Sequence, residues 1–202
     1  MKKKPNKEST AEFIARLEAD PRYIEMRRQQ DARRAALEAE YDRAEAPLVA
    51  ALKSAGCEVK SVWDLVNGPN CYGHALPVLL EHLVRPYPPA IREGIARALA
   101  VKETRPVGWP LLVRLFQSET AKRVKDGLAV ALCVSADDSV IDEVIALVSD
   151  PSHGTTRVLL LDALDRSRDP RASAALERLQ SDPDLVKEMR VMMAKRSRRK
   201  HK

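Results

Sequence analysis

Ile91–Leu99 reads IREGIARAL, and Val124–Leu132, 33 residues further on, reads VKDGLAVAL. A shift of 33 lays Leu76–Val101 on Trp109–Val134 without a gap. Pro77 falls on Pro110, Gly94 on Gly127, Leu99 on Leu132 and Val101 on Val134. A further shift of 32 brings Lys125 to Arg157, Leu128 to Leu160 and Ala131-Leu132 to Ala163-Leu164. A fourth, degenerate copy, ASAALERLQSDPDLVKEMRVMMA over residues 172–194, sets Asp182-Pro183 32 residues after Asp150-Pro151.

Each copy holds two stretches whose apolar residues recur at intervals of three and four, the mark of one buried helix face. LPVLLEHLV precedes PYPPA and then IREGIARALAV, and VIDEVIALVSD precedes PSHG and then TTRVLLLDALDR. A two-helix unit cannot hide its apolar face alone. Stacked neighbours bury it, so a period of this size predicts an all-α fold, a right-handed α-solenoid of about four helix pairs. The opening pair of phrases then marks the second helices of adjacent units, which meet the same surroundings. Gly94 and Gly127 each cost about 1 kcal/mol against Ala inside a helix, which implies close helix contact at both.

These units resemble HEAT repeats, in particular the short bacterial HEAT-like, PBS-lyase-type repeats. The resemblance covers about residues 74–194. It rests on the paired-helix length, the turn prolines and a basic residue opening each second helix: Arg92, Lys125, Arg157 and Arg190. The Asp of the inter-helix turn stands at Asp150 and Asp182, whereas PYPP and QSET occupy the first two turns. The resemblance implies an armadillo-like helical scaffold that binds another protein. Related architectures include chromophore lyases and DNA glycosylases that act on alkylated bases, so an enzyme of that kind is an alternative implication.

Upstream, residues 1–8 form a basic arm expected to be disordered, and residues 9–72 a helical extension or cap. Ser9-Thr10 caps a short helix to about Ala19. Asp20-Pro21 opens a charged helix to Glu45, and Pro47 opens another, PLVAALKSA, stopped by Gly56. Ser61 and Asp64 bracket SVWDLVN as a capping box with Asp in the Glu place, with Trp63 placed to cover the first repeat. NGPNCYG, 67–73, reads as a loop, and the repeats run from 73 to 194.

The chain has 202 residues and a net charge of +6. Lys2, Lys3, Lys4 and Lys7 lie at one end, and Lys195, Arg196, Arg198, Arg199, Lys200 and Lys202 at the other. Between Ser9 and Ala194 stand 25 bases against 28 acids, a net −3. The basic character therefore belongs to the two tails. A nucleic-acid-binding domain is usually basic in itself, so nucleic-acid association is the alternative function, acting through 195–202 as a polyanion-binding tail. No apolar run reaches the roughly 20 residues of a membrane helix, and three cysteines at unrelated spacings fit a reducing compartment. The expectation is a cytoplasmic protein with no membrane partner.

The candidate partner-facing residues are Arg92, Lys125, Arg157 and Arg190, with Glu93, Asp126 and Arg97 beside them. The competing and stronger reading is a ladder from repeat to repeat, in which these bases pair with Glu93, Asp126 or acids of the turns. Cys57, Cys71 and His74 make three ligands where zinc needs about four, so no metal and no cofactor is expected. His82 and Cys133 read as core residues, Trp109 as packing, and His153 as a solvated turn residue. No nucleophile set, phosphate loop or HExxH motif is present. The expected protein is non-enzymatic, a scaffold or adaptor of the immunity or complex-assembly type.

Overall fold

The computed structural model describes residues 9–68 and 72–200, with side chains through Arg196. The arm 1–8 and Lys202 lie outside the described residues. All regular structure among those described is helical, in eleven α-helices and five short 3-10 segments. The chain divides into two compact units, Met1–Ala44 and Glu45–Lys202.

The first unit holds α1 (Thr10–Ala19) and the beginning of α2 (Pro21–Ser54). Ser9 and Glu12 close a reciprocal capping box at the start of α1, and Asp20 Oδ1 accepts from the Arg22 N–H at 2.9 Å to open α2. No residue of α1 is buried. Phe13 and Ile14 stay 43% and 47% exposed, so burial gives this helix no support and its caps matter more than usual. The expected restart at Pro47 is corrected: α2 runs through it as one 34-residue helix. An internal proline removes one backbone bond. Leu48 and Leu52, both fully buried in the second unit, hold the turns that follow.

The second unit begins with those turns. They end in a Schellman arrangement, with the Cys57 N–H on Leu52 O, the Gly56 N–H on Lys53 O, and Gly56 at φ 89°. Then comes α3 (Val62–Asn67), with the Ser61–Asp64 capping box in place. Glu45, 5% exposed, accepts from the Val62 N–H at 2.6 Å and from Ser61 Oγ at 3.2 Å. The compact unit starts at Glu45, and this carboxylate ties the end of α2, a first helix, to α3, its second.

Four pairs follow, counted first to fourth from α4, at the places that the sequence shifts indicate. They are α4 (Leu76–Leu83) with α5 (Pro89–Ala98), and α6 (Arg105–Ser118) with α7 (Lys122–Ser135). Next, α8 (Ile141–Ser149) pairs with a 3-10 segment (Pro151–Leu160) that continues as α9 (Leu161–Arg166). Last, α10 (Pro170–Arg178) precedes α11 (Val186–Lys200). Helix α5 packs against α3 and α7, and α7 packs against α6 and the 151–160 segment.

The two glycines explain the closeness. A Cβ on Gly94 would lie 2.5 Å from Val62 Cγ1 and 3.1 Å from Trp63 Nε1. One on Gly127 would lie 3.1 Å from both Ala96 Cβ and Glu93 O. The same position in successive second helices therefore meets the preceding second helix. In the third pair, Gly154 (φ 56°) interrupts the winding, and Arg157 Nε donates to its carbonyl at 2.9 Å. The stretch read as one helix from Thr155 is a 3-10 turn first.

Candidate functional site

Two of the bases that open the second helices, Arg92 and Arg157, are used between units. Arg92 of α5 bonds Glu119 in the α6–α7 turn at 2.6 Å. Glu119 in turn accepts from the Thr120 and Ala121 N–H groups. Arg157, 1% exposed, does the same two rungs on, in the turn before α11. It reaches Asp182 at 2.7 and 3.1 Å and Asp184 at 3.0 Å, and also Val148 O at 3.3 Å. Burial pulls the Arg157 guanidinium toward neutrality, but the Asp182 and Asp184 hydrogen bonds outweigh it and raise its pKa. The same bond holds the Asp182 carboxyl below the ordinary aspartate range. Glu119 thus does in QSET what Asp182 does in its own turn.

Lys125, the rung between them, turns to the Phe116 ring, its Nζ 5.2 Å from the centroid, a cation–π contact worth about 0.5–1 kcal/mol. Arg190 stands exposed on α11.

A second ladder runs beside the first. Glu93, 8% exposed, takes Arg97 at 2.9 Å within its own helix and Arg123, 30 residues on, at 2.7 Å. Asp126 takes Lys122 at 2.7 Å and Thr156, again 30 residues on, at 2.8 Å. Of the seven candidate partner-facing residues, six are therefore engaged inside the fold. Arg157 is buried and offers a partner nothing.

Other side chains fall as follows. Trp109 is 4% exposed and donates from Nε1 to Glu143 at 2.9 Å. His82 is buried with Nδ1 2.7 Å from Tyr87 Oη. His153 is a correction: it is 8% exposed rather than solvated, set edge-on to Phe116 with ring centroids 4.6 Å apart. The 151–154 turn folds under the third pair and carries its ring inward. Burial, then the neighbouring Lys125, lowers its pKa. Cys57 Sγ lies 3.4 Å from His74 Nε2, and Cys71 lies outside the described residues. No group of three metal-ligating side chains occurs among those described.

In the basic tail, Arg196 is bound to Asp165 at 3.0 Å and to Ser173 at 3.2 Å. Lys195 edges a small groove of about 180 Å³ between α9 and α11. Arg198, Arg199 and Lys200 belong to α11.

A cavity of about 490 Å³ opens elsewhere, where the second helices α7 and α9 end and the next pairs begin. Its floor is Val134, Ile141 and Ala163, and its walls carry Lys102, Arg105, Arg166 and Arg168 against Asp137 and Asp138. Arg105 is fixed by Asp137 at 2.9 Å and Ser139 at 2.9 Å. Arg166 is fixed by Asp162 at 2.5 Å and the Cys133 carbonyl at 2.6 Å. Lys102 and Arg168 are exposed. The sequence reading passed over this cleft. Its signal is the run of charged connectors in phase after successive second helices, VKETR at 101–105, SADDS at 135–139 and SRDPR at 167–171.

No family model matches the chain, and comparison with curated proteins and with solved structures finds no match. No described helix is long and apolar enough to cross a membrane.

Proposed function

We propose that the helix pairs of residues 45–200 form a right-handed, HEAT-like α-solenoid, and that the protein is a non-enzymatic scaffold or adaptor for another protein, of the immunity or complex-assembly type. One observation supports this above the others. Inter-unit contacts recur: Gly94 and Gly127 each against the preceding second helix, Arg92 and Arg157 each on an acid of the following turn 27 residues on, Glu93 and Asp126 each on a side chain 30 residues on. A chain built of nearest-neighbour contacts holds an extended surface rigid without a single closed core, and such surfaces serve binding.

The test is affinity capture with the full-length chain from nuclease-treated lysate of its source. The eluted complex is then run by size exclusion. A protein co-eluting at fixed stoichiometry supports the scaffold. Recovery only of nuclease-sensitive material from untreated lysate refutes it and moves function to the basic tail.

A further inference from the structure

The cleft at the ends of α7 and α9 has features that a solvated surface of mixed charge lacks. Four cations face it against two carboxylates, around an apolar floor. Two of the cations, Arg105 and Arg166, are locked by neighbouring acceptors. Their guanidinium planes are ordered before anything binds, so less side-chain entropy is lost on binding. The other two, Lys102 and Arg168, are exposed at the rim. No salt bridge is formed by either among the described residues.

We propose that this cleft is a docking site for an acidic segment of a protein partner, whose Asp or Glu carboxylates meet Lys102 and Arg168 while an adjacent apolar side chain rests on Val134, Ile141 and Ala163. This rests on the scaffold reading and gives its partner a chemistry. Charge complementarity selects the occupant. The net charge of the lining groups is positive, and carboxylates suit the forked donors of arginine. A nucleic-acid backbone fits less well. Asp137 and Asp138 stand in the wall and would repel a continuous row of phosphates. No aromatic side chain lines the cleft for bases to stack on. A peptide satisfies both signs, since its backbone N–H groups can donate to the two aspartates.

The experiment uses the full chain, isotope-labelled, with three probes: an eight-residue alternating Glu/Leu peptide, its Gln/Leu counterpart, and a fifteen-nucleotide oligo(dT). The Glu/Leu peptide is expected to shift the amide signals of Val134, Ala136 and Ala163, weakening as salt is raised, while the Gln/Leu peptide leaves them in place. The K102E/R168E variant, altered only at exposed positions, should keep the wild-type melting temperature and weaken the peptide at least tenfold. D138N should tighten it. Peptide binding that is unchanged in K102E/R168E, shifts confined to α11, or oligo(dT) binding at the same amides as tightly as the peptide would each overturn the proposal. A partner captured equally well by wild type and K102E/R168E would sink the cleft and leave the scaffold reading standing. Capture of no protein by either would sink the scaffold reading itself.

Discussion

Arg157→Met is the most informative single change to the fold. The guanidinium is 1% exposed and donates five hydrogen bonds, to the carbonyls of Val148 and Gly154 and to Asp182 and Asp184. Methionine keeps much of the aliphatic volume, so the loss is chiefly polar. Breaking a buried ion pair from one side costs about 3–5 kcal/mol because the other charge is left buried. Here Asp182 and Asp184 retain 18% and 42% side-chain exposure and partly rehydrate, which places the cost at the lower end, about 3 kcal/mol. For a chain of this length that lowers Tm by about 6–12 °C. Arg157→Lys keeps the charge but not the fork and should lose about 1–2 kcal/mol. The triple change R157M/D182N/D184N should be more stable than R157M alone, since no unpaired carboxylate remains. Urea titration is the assay, because its neutrality leaves ion pairs unscreened. A loss below about 1 kcal/mol for R157M, at an unchanged m value, would show that the buried rung does not hold the third and fourth pairs together.

Acid should act on the same contact. Asp182 has a lowered folded pKa because of its Arg157 bond, and Asp169 is held at about 2 by its Arg171 hydrogen bonds. Depressed carboxyl pKa values stabilise the fold above the unfolded value near 3.9 and lose that contribution as pH falls through the folded value. The urea midpoint should therefore drop below about pH 4, and less steeply in R157M, read by circular dichroism. His153 and His82 are held neutral chiefly by burial. Their lowered pKa values stabilise the fold above about 6.5 and lose that contribution as pH falls from there, so His153→Leu should narrow the gap between urea midpoints at pH 7.5 and 5.5, and an unchanged gap would exclude this histidine. Gly127→Val must displace Ala96 or the Glu93 backbone and should cost about 1–3 kcal/mol; an unchanged melting temperature would contradict the close contact. Leu132→Ala, at a fully buried position, should cost about 2–5 kcal/mol, and a negligible loss in the same titration would place the side chain at the surface.

The helix pairs were legible because apolar spacing and a near-identical phrase are both consequences of one packing environment. Gly94 and Gly127 had a physical reason to recur, and the sequence alone pointed to it. What a single chain hid was which acid receives each base. Arg92 and Arg157 recur as clearly as the glycines and read more strongly as bases paired with turn acids than as partner-facing ones, yet only the fold shows that the acids are Glu119, in a turn without the expected Asp, and Asp182. Composition likewise could not tell that α2 continues through Pro47, since the leucines that hold its last turns lie on the far side of the break. His153 reads as a turn residue by its neighbours, and its burial depends on Phe116, 37 positions earlier in the chain.

The ladders also account for how such dissimilar units keep one register. Apolar contacts between helices tolerate sliding, because one leucine does nearly as well against another. A charged hydrogen bond does not, because its geometry is met at one separation and its loss leaves a partner unpaired. Arg92 to Glu119 and Arg157 to Asp184 span 27 residues, while Glu93 to Arg123 and Asp126 to Thr156 span 30. Two rows of bonds at two fixed offsets define a phase that the degenerate apolar pattern alone would leave loose. Four of the side chains first marked for a partner, Arg92, Arg157, Glu93 and Asp126, thus set the spacing of the units, and the surface we propose for recognition lies instead at the connectors, with their exposed Lys102 and Arg168.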